Sequence, residues 1–349
     1  MAGARDRLRV GILGGVPAAL GGGGLEIQAE RTAAALRERG HDVRHVQRAD
    51  RDWAPELLHV FGHTADVGHF LHHWRRHPAR LVVSPVVVVP PAREWRLKLG
   101  TRLPIPAFEP RVLGALARRA DALIALTRWE AELLRSVGGD RSAPIATIGN
   151  GVDRPVELPD REALARALGT ALPERYAIVV GAVSERKRQA EIARALAGTL
   201  PLVVVGGWDG PQGGRDEFAH LVEATGGAWL GELHDRATVL GLVAEADALV
   251  HLSDAEGQSL AVLEGLALGT PCVLSDLPQQ RELAQRWPAR VAIVRGDEEL
   301  RDALARLRGT TPDRPAVEPA IPSWDDVAAQ VEDVYAAIDA PPRLWGDRG

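Results

Sequence analysis

Two carboxylates, Glu256 and Glu264, stand eight positions apart in the stretch "EGQSLAVLEG" of a 349-residue chain. Paired carboxylates suggest acid/base work, but a glycosidase needs its two about 5–10 Å apart across one bond. On one continuous helix, eight positions separate them by about 12 Å of rise and about 80° of direction. A different geometry suits the local residues better. Gly257 favours a turn, Ser259 can cap, "LAVLEGLAL" makes a short helix, and Gly269 with Pro271 ends it. Glu256 then lies in the loop and Glu264 one turn inside the helix. Between them is a helix N-terminus, whose free N–H groups suit phosphate or sugar oxygens. By spacing alone the alternative is a solvated helix with two surface glutamates.

Other residues stand out by type and place. The chain has 40 arginines and only two lysines, Lys98 and Lys187, and Lys187 falls in "VVGAVSERKRQ", just after an apolar strand-like run. Gly23 and Gly24 end a glycine-rich loop that precedes a helical period, which by residue type alone is a flexible loop tip. The glycines of "GILGGVP" are not in GxGxxG register, which argues against a dinucleotide fingerprint. The single cysteine, Cys272, reads as a buried strand thiol.

The elements that must position these residues alternate along the chain. Strands are expected at "LRVGIL", "DVRHV", "LLHVFG", "RLVVSPVVVV", "ALIALT" and "IATIGNG". Helices are expected at "LEIQAERTAAALRERG", "EPRVLGALARRA" and "WEAELLRSVG". After a break at "VDRPVELPD", the strands "YAIVVGAV", "LPLVVVGG", "GAWLGEL", "DALVHLS" and "PCVLSD" follow, with helices between several of them. This rhythm predicts two doubly wound α/β domains in tandem. Residues 1–150 carry 22 basic against 15 acidic side chains, and residues 151–349 carry 20 against 32. The basic half implies an anionic partner or an arginine-rich solvated face. No apolar run reaches membrane-span length, and the N-terminus lacks a signal-peptide pattern, so a cytoplasmic protein is expected.

"SDAEGQSLAVLEGLALGTPCVLSD" resembles the ExxxxxxxE region of the retaining glycosyltransferase family 4, whose fold is GT-B, two Rossmann-like domains facing a central cleft. "GGLEIQAERTAAALRERGHDV", "ADALIALTRWEAELL", "IGNGVD", "VVGAVSERKRQ" and "SWDDVAAQVEDVY" resemble other family segments in order, so the likeness spans nearly the whole chain. It implies an acceptor-side domain over 1–153, a nucleotide-sugar domain over 154–322, and a terminal helical segment, 323–349, packing back on the first. The implied reaction moves a sugar from a nucleoside diphosphate sugar, with UDP- or GDP-sugars expected, to an acceptor hydroxyl, without metal or cofactor. No nucleic-acid partner is expected.

The family pattern implies that Lys187 neutralises the diphosphate and Glu256 holds the donor sugar. Glu264 would hold the ribose, and the amides of Gln258, Ser259 and Leu260, beside Gly257, would meet sugar and phosphate oxygens. Gly23 and Gly24 match the family's glycine pair. Where the family's phosphate-binding arginine usually stands, this chain has Ala182, leaving Arg186 or Arg188 as substitutes. "VVSPVVVV" lacks the histidine of many members, so His59 and His63 are acceptor-side candidates, with structural roles as the alternative; Trp95 is another. Residues 93–119 hold seven Arg plus Lys against Glu94 and Glu109, implying an anionic or membrane-associated acceptor and peripheral association, or a loop packed on the first domain. Competing functions are a sugar-nucleotide epimerase or hydrolase on the same scaffold, and a non-catalytic nucleotide-sugar-binding subunit.

Overall fold

The computed structural model describes residues 7–14, 23–46, 52–74, 78–103, 108–153, 157–307 and 321–338. Residues 15–22 of the glycine-rich loop and 339–349 of the expected terminal segment lie outside the described residues. The chain divides into two compact units, Met1–Gly151 with Pro322–Gly349, and Val152–Ile321.

In the first unit, β1 (Arg9–Leu13), α1 (Gly24–Glu38), β2 (Asp42–His45), β3 (Leu57–Phe61), α2 (Ala65–Trp74) and β4 (Arg80–Ser84) lead to α3 (Glu94–Gly100) and α4 (Glu109–Arg119). β5 (Ala122–Ala125), α5 (Arg128–Gly138) and β6 (Ile145–Thr147) complete its first part. The strands form one parallel sheet in the order β2-β1-β3-β4-β5-β6. β3 is buried at all five positions, as a strand covered on both faces must be. The apolar run after Leu81 stops being a strand at Ser84, because Pro85 has no N–H to give a ladder and Val86 turns to a φ of 52°. That φ is costly for a β-branched residue, and Glu130 holds the turn. From α5, Glu130 accepts the Val87 and Leu126 N–H groups, each at 2.7 Å.

The second unit contains α6 (Arg161–Leu168), β7 (Ala177–Val180), α7 (Gln189–Leu196), β8 (Leu202–Val205), α8 (Arg215–Glu223) and β9 (Ala228–Trp229). Then come α9 (Arg236–Glu245), β10 (Ala248–His251), α10 (Leu260–Ala267), β11 (Cys272–Ser275), α11 (Pro278–Arg286), β12 (Val291–Val294) and α12 (Asp297–Leu307). All six strands are parallel, in the order β12-β11-β10-β7-β8-β9. Counted within the unit this is the 3-2-1-4-5-6 arrangement of a Rossmann-type sheet. Alternate residues feed two cores: Ile178, Leu249 and Leu274 pack with α9 and α10, while Val179, Val204 and Val250 pack with α7 and α12. Cys272 is buried in β11, and burial pushes its thiol pKa up.

The chain then returns to the first unit as α13 (Trp324–Ala337), capped by Ser323 and packed on α1. Arg39 at the end of α1 grips Glu332 through two 3.0 Å bonds and Asp325 through one of 2.8 Å. His41 takes the Leu8 N–H on Nδ1, so its Nε2 carries the proton and donates to Glu332 at 3.0 Å. Gly151 is required where the chain leaves the unit, since a Cβ there would lie 2.7 Å from the Trp324 backbone nitrogen. Both sheets are thus doubly wound, the architecture expected from the alternation of strands and helices.

Candidate functional site

In the second unit the strand order reverses between β7 and β10, and ligands of such sheets bind beyond the carboxyl ends at that point. Arg186 and Lys187 follow β7 on a 3-10 turn, Glu185–Lys187, and Glu256 follows β10. Gly181, at φ 134°, begins the turn, and the space a Cβ would fill there is taken by Lys187 Nζ. Gly206, at φ 151°, is needed because a Cβ would run into the Gly181 carbonyl. Gly181 therefore makes room for the ammonium group, and Gly206 for the Gly181 backbone beside it. Burial pushes the Lys187 pKa down and Arg186 adds to this, while the carboxylates of Glu256 and Asp209 pull it back up.

Glu256 lies among basic groups. Its Oε2 is 2.9 Å from His251 Nε2 and 3.5 Å from Arg186 Nη1. Burial alone would raise its pKa, but the His251 hydrogen bond and the charges of His251, Lys187 and Arg186 outweigh it and hold the carboxyl at about 2. The loop carrying it is pinned on several sides. Arg186 Nη1 donates to the Ala255 carbonyl at 2.6 Å, the Arg186 carbonyl accepts the Asp254 N–H at 2.9 Å, and Gln279 donates to the Glu256 carbonyl. Ser253 and Ser275 clasp each other, the Ser253 N–H donating to Ser275 Oγ and that hydroxyl donating to the Ser253 carbonyl. Glu256 is thus a rigid, ionised acceptor.

α10 starts as its sequence suggests. Ser259 Oγ accepts the Val262 N–H, while Gln258, Ser259 and Leu260 are half-buried and Gly257 is buried. Glu264 is one turn inside, 6% exposed, and ion-paired with Arg236 at the start of α9. The two glutamates have separate partners and do not act as a pair. Arg188, at φ 54°, turns to Glu191 at 2.5 and 2.9 Å, with Asp254 3.9 Å away. Ala182 is exposed, and its carbonyl is braced by the buried Gln189.

The first-unit candidates lie on different elements. Gly23 caps α1, its N–H donating to Glu26 at 2.7 Å, and Gly24 has open space around its α-carbon. His59 is buried inside β3, with Nδ1 at 2.8 Å from the Tyr335 hydroxyl and Nε2 at 2.9 Å from Ser84 Oγ. Burial holds it neutral, with a pKa of about 3. His63 is half-buried beyond β3, bonded to the Pro85 carbonyl at 3.0 Å, and burial lowers its pKa. Trp95 is exposed on α3.

Sequence reasoning did not find His251, Arg236, Ser253 or Gln279. A polar residue ending the apolar strand "ALVH" was the available sign for His251. Arg236 gives no local sign, since its role depends on α9 packing beside α10.

Residues 160–312 match the family described as "Glycosyl transferases group 1". No curated protein matches the chain. Among solved structures, sucrose-phosphate synthase from Thermosynechococcus elongatus superposes with a TM-score of 0.71 at 17% identity, covering 95% of this chain and 99% of that one. Anabaena Alr3699/HepE in complex with UDP and glucose gives 0.70 at 17% identity, covering 95% and 100%. WaaG, a glycosyltransferase involved in lipopolysaccharide biosynthesis, gives 0.62 at 18% identity, covering 97% and 98%. The fold is GT-B, and the second unit carries the match to a glycosyltransferase domain, which is an enzyme domain.

Proposed function

We propose that the chain moves a sugar from a nucleoside diphosphate sugar to an acceptor hydroxyl with retention of anomeric configuration, as a member of glycosyltransferase family 4. The observation that carries this reading is the grouping of Lys187, Arg186 and Glu256 at the β7/β10 strand ends, beside the N-terminus of α10. A diphosphate needs compact positive charge and free amides, and a sugar needs a fixed, ionised hydrogen-bond acceptor. Solved structures of similar fold contain UDP with glucose, or UDP-glucose, which supports the same donor class here.

In this reading Lys187 takes the diphosphate. Arg186 and Arg188 are largely engaged with Ala255 and Glu191, so Lys187 supplies most of the charge that the missing arginine at Ala182 would have shared. A bound diphosphate returns the Lys187 pKa upward and keeps it an ammonium. Glu256 orients the sugar through its hydroxyls, and Glu264, fixed by Arg236, accepts from the ribose. The acceptor oxygen attacks the anomeric carbon on the face the diphosphate leaves. Its proton passes to the departing phosphate oxygen, and Lys187 with the α10 amides stabilises the charge that develops. No protein nucleophile is needed. A thermal-shift panel of UDP-, GDP-, TDP- and ADP-sugars tests this: one donor class should stabilise the protein and then turn over with an added acceptor. A uniformly flat panel overturns the assignment.

A further inference from the structure

We propose that α3 and the turn after it form a docking surface for an anionic lipid bilayer. Six large apolar residues are exposed among the described residues, and five of them, Val88, Trp95, Leu99, Leu103 and Phe108, fall within 88–108. Trp95 and Leu99 are the most exposed, at 59% and 54%. The helical bonding continues past α3, since the amides of Thr101, Arg102 and Leu103 bond back to Leu97, Leu99 and Gly100. Trp95, Leu99 and Leu103, spaced by four, therefore make one outward stripe.

At about 100° per residue, Arg96 flanks the stripe on one side, and Lys98 and Arg102 on the other. The inward positions are filled differently. Leu97 packs on the core, Gly100 seats against Pro110 and Phe108, and Thr101 is buried. Glu94, the acidic residue of α3, accepts the Trp129 indole N–H at 2.9 Å and lies 3.8 Å from Lys98, so its charge does not oppose the outer face. Arg111 holds the far end by donating to the Leu103 carbonyl at 3.0 Å.

An exposed tryptophan-leucine stripe bordered by cations fits the headgroup boundary, where rings and chains enter the acyl edge and basic groups meet anionic lipid. The net positive charge of residues 1–150 works in the same direction. This proposal does not depend on which sugar is transferred.

Co-sedimentation with phosphatidylcholine vesicles, with and without about a third phosphatidylglycerol, tests it. The wild-type chain should bind the anionic vesicles, release them at high salt, and ignore phosphatidylcholine alone. Each basic residue near such a surface contributes about fivefold, so Arg96→Gln/Lys98→Gln/Arg102→Gln should weaken binding about a hundredfold. Leu99→Ala/Leu103→Ala should weaken it at least about tenfold with an unchanged melting curve. In the wild-type chain, bound vesicles should slow amide exchange over residues 94–103. No binding to anionic vesicles, equal binding to phosphatidylcholine, survival of binding in both variants, or protection only elsewhere would each overturn the proposal.

Discussion

Replacing Glu256 by glutamine keeps the side-chain volume and removes the charge that His251, Arg186 and Lys187 surround. Glutamine stands in for the protonated carboxyl, so the variant reads the worth of ionisation directly. The ordinary carboxyl value of 4.5 is lowered to about 2 in the fold. At about 1.4 kcal/mol per tenfold change in proton affinity, this corresponds to about 3 kcal/mol. The folded pKa is depressed, so this stability is present above pH 4.5 and is lost as pH falls toward 2. Glu256→Gln should therefore destabilise the second unit by about 3 kcal/mol at pH 7, and by roughly 1 kcal/mol less at pH 4. The assay is urea unfolding at pH 7, 5 and 4, with exchange labelling of β7 and β10 assigning the transition to the second unit. A loss below about 0.5 kcal/mol at pH 7, or one that grows on acidification, refutes the assignment of Glu256 as a carboxylate stabilised by its cations.

Lys187→Ala should weaken binding of the donor found in the thermal-shift panel by roughly 10–100-fold in calorimetry, the worth of one charged hydrogen bond. Lys187→Arg should not restore it, because a planar guanidinium does not reproduce the compact ammonium seated against Gly181. Glu130 is pushed up to about 7, by burial above all, against an ordinary 4.5, so its contribution is present below pH 4.5 and is lost as pH rises through 7. The first unit should lose about 3 kcal/mol over that interval in urea unfolding, and Glu130→Gln should remove this part of the pH dependence. Tyr335→Phe leaves the buried His59 Nδ1 without its hydroxyl partner and should cost about 1–3 kcal/mol of first-unit stability, measured the same way.

The parallel strands were legible because burial on both faces forces largely apolar runs such as "AIVV" and "LLHVF", the latter broken only by the buried His59. The run "RLVVSPVVVV" misleads for a reason 43 residues away. Glu130 offers its carboxylate to the backbone after Pro85, so the valines turn instead of extending. "GAWLGEL" shrinks to the two-residue β9, because Gly227 sits against the Leu202 backbone and Gly231 adopts a φ of 68°. α2 has apolar residues at 67, 70, 71 and 74, a helical spacing obscured by its three histidines. At the site, the loop position of Glu256 and the cap at Ser259 follow from local residue types, whereas His251 and Arg236 acquire their roles only through sheet and helix packing.

The first unit is built from two stretches of chain, and the second from the uninterrupted 170 residues between them. During synthesis, the ribosome completes the whole second unit before it makes α13. At roughly 5–20 residues per second the interval is on the order of 10–30 s. Throughout it, His59 waits in β3 without Tyr335, and Arg39 and His41 wait without Glu332. The nascent first unit is thus a sheet with an open slot for its last helix, and the second unit has time to fold before that slot closes.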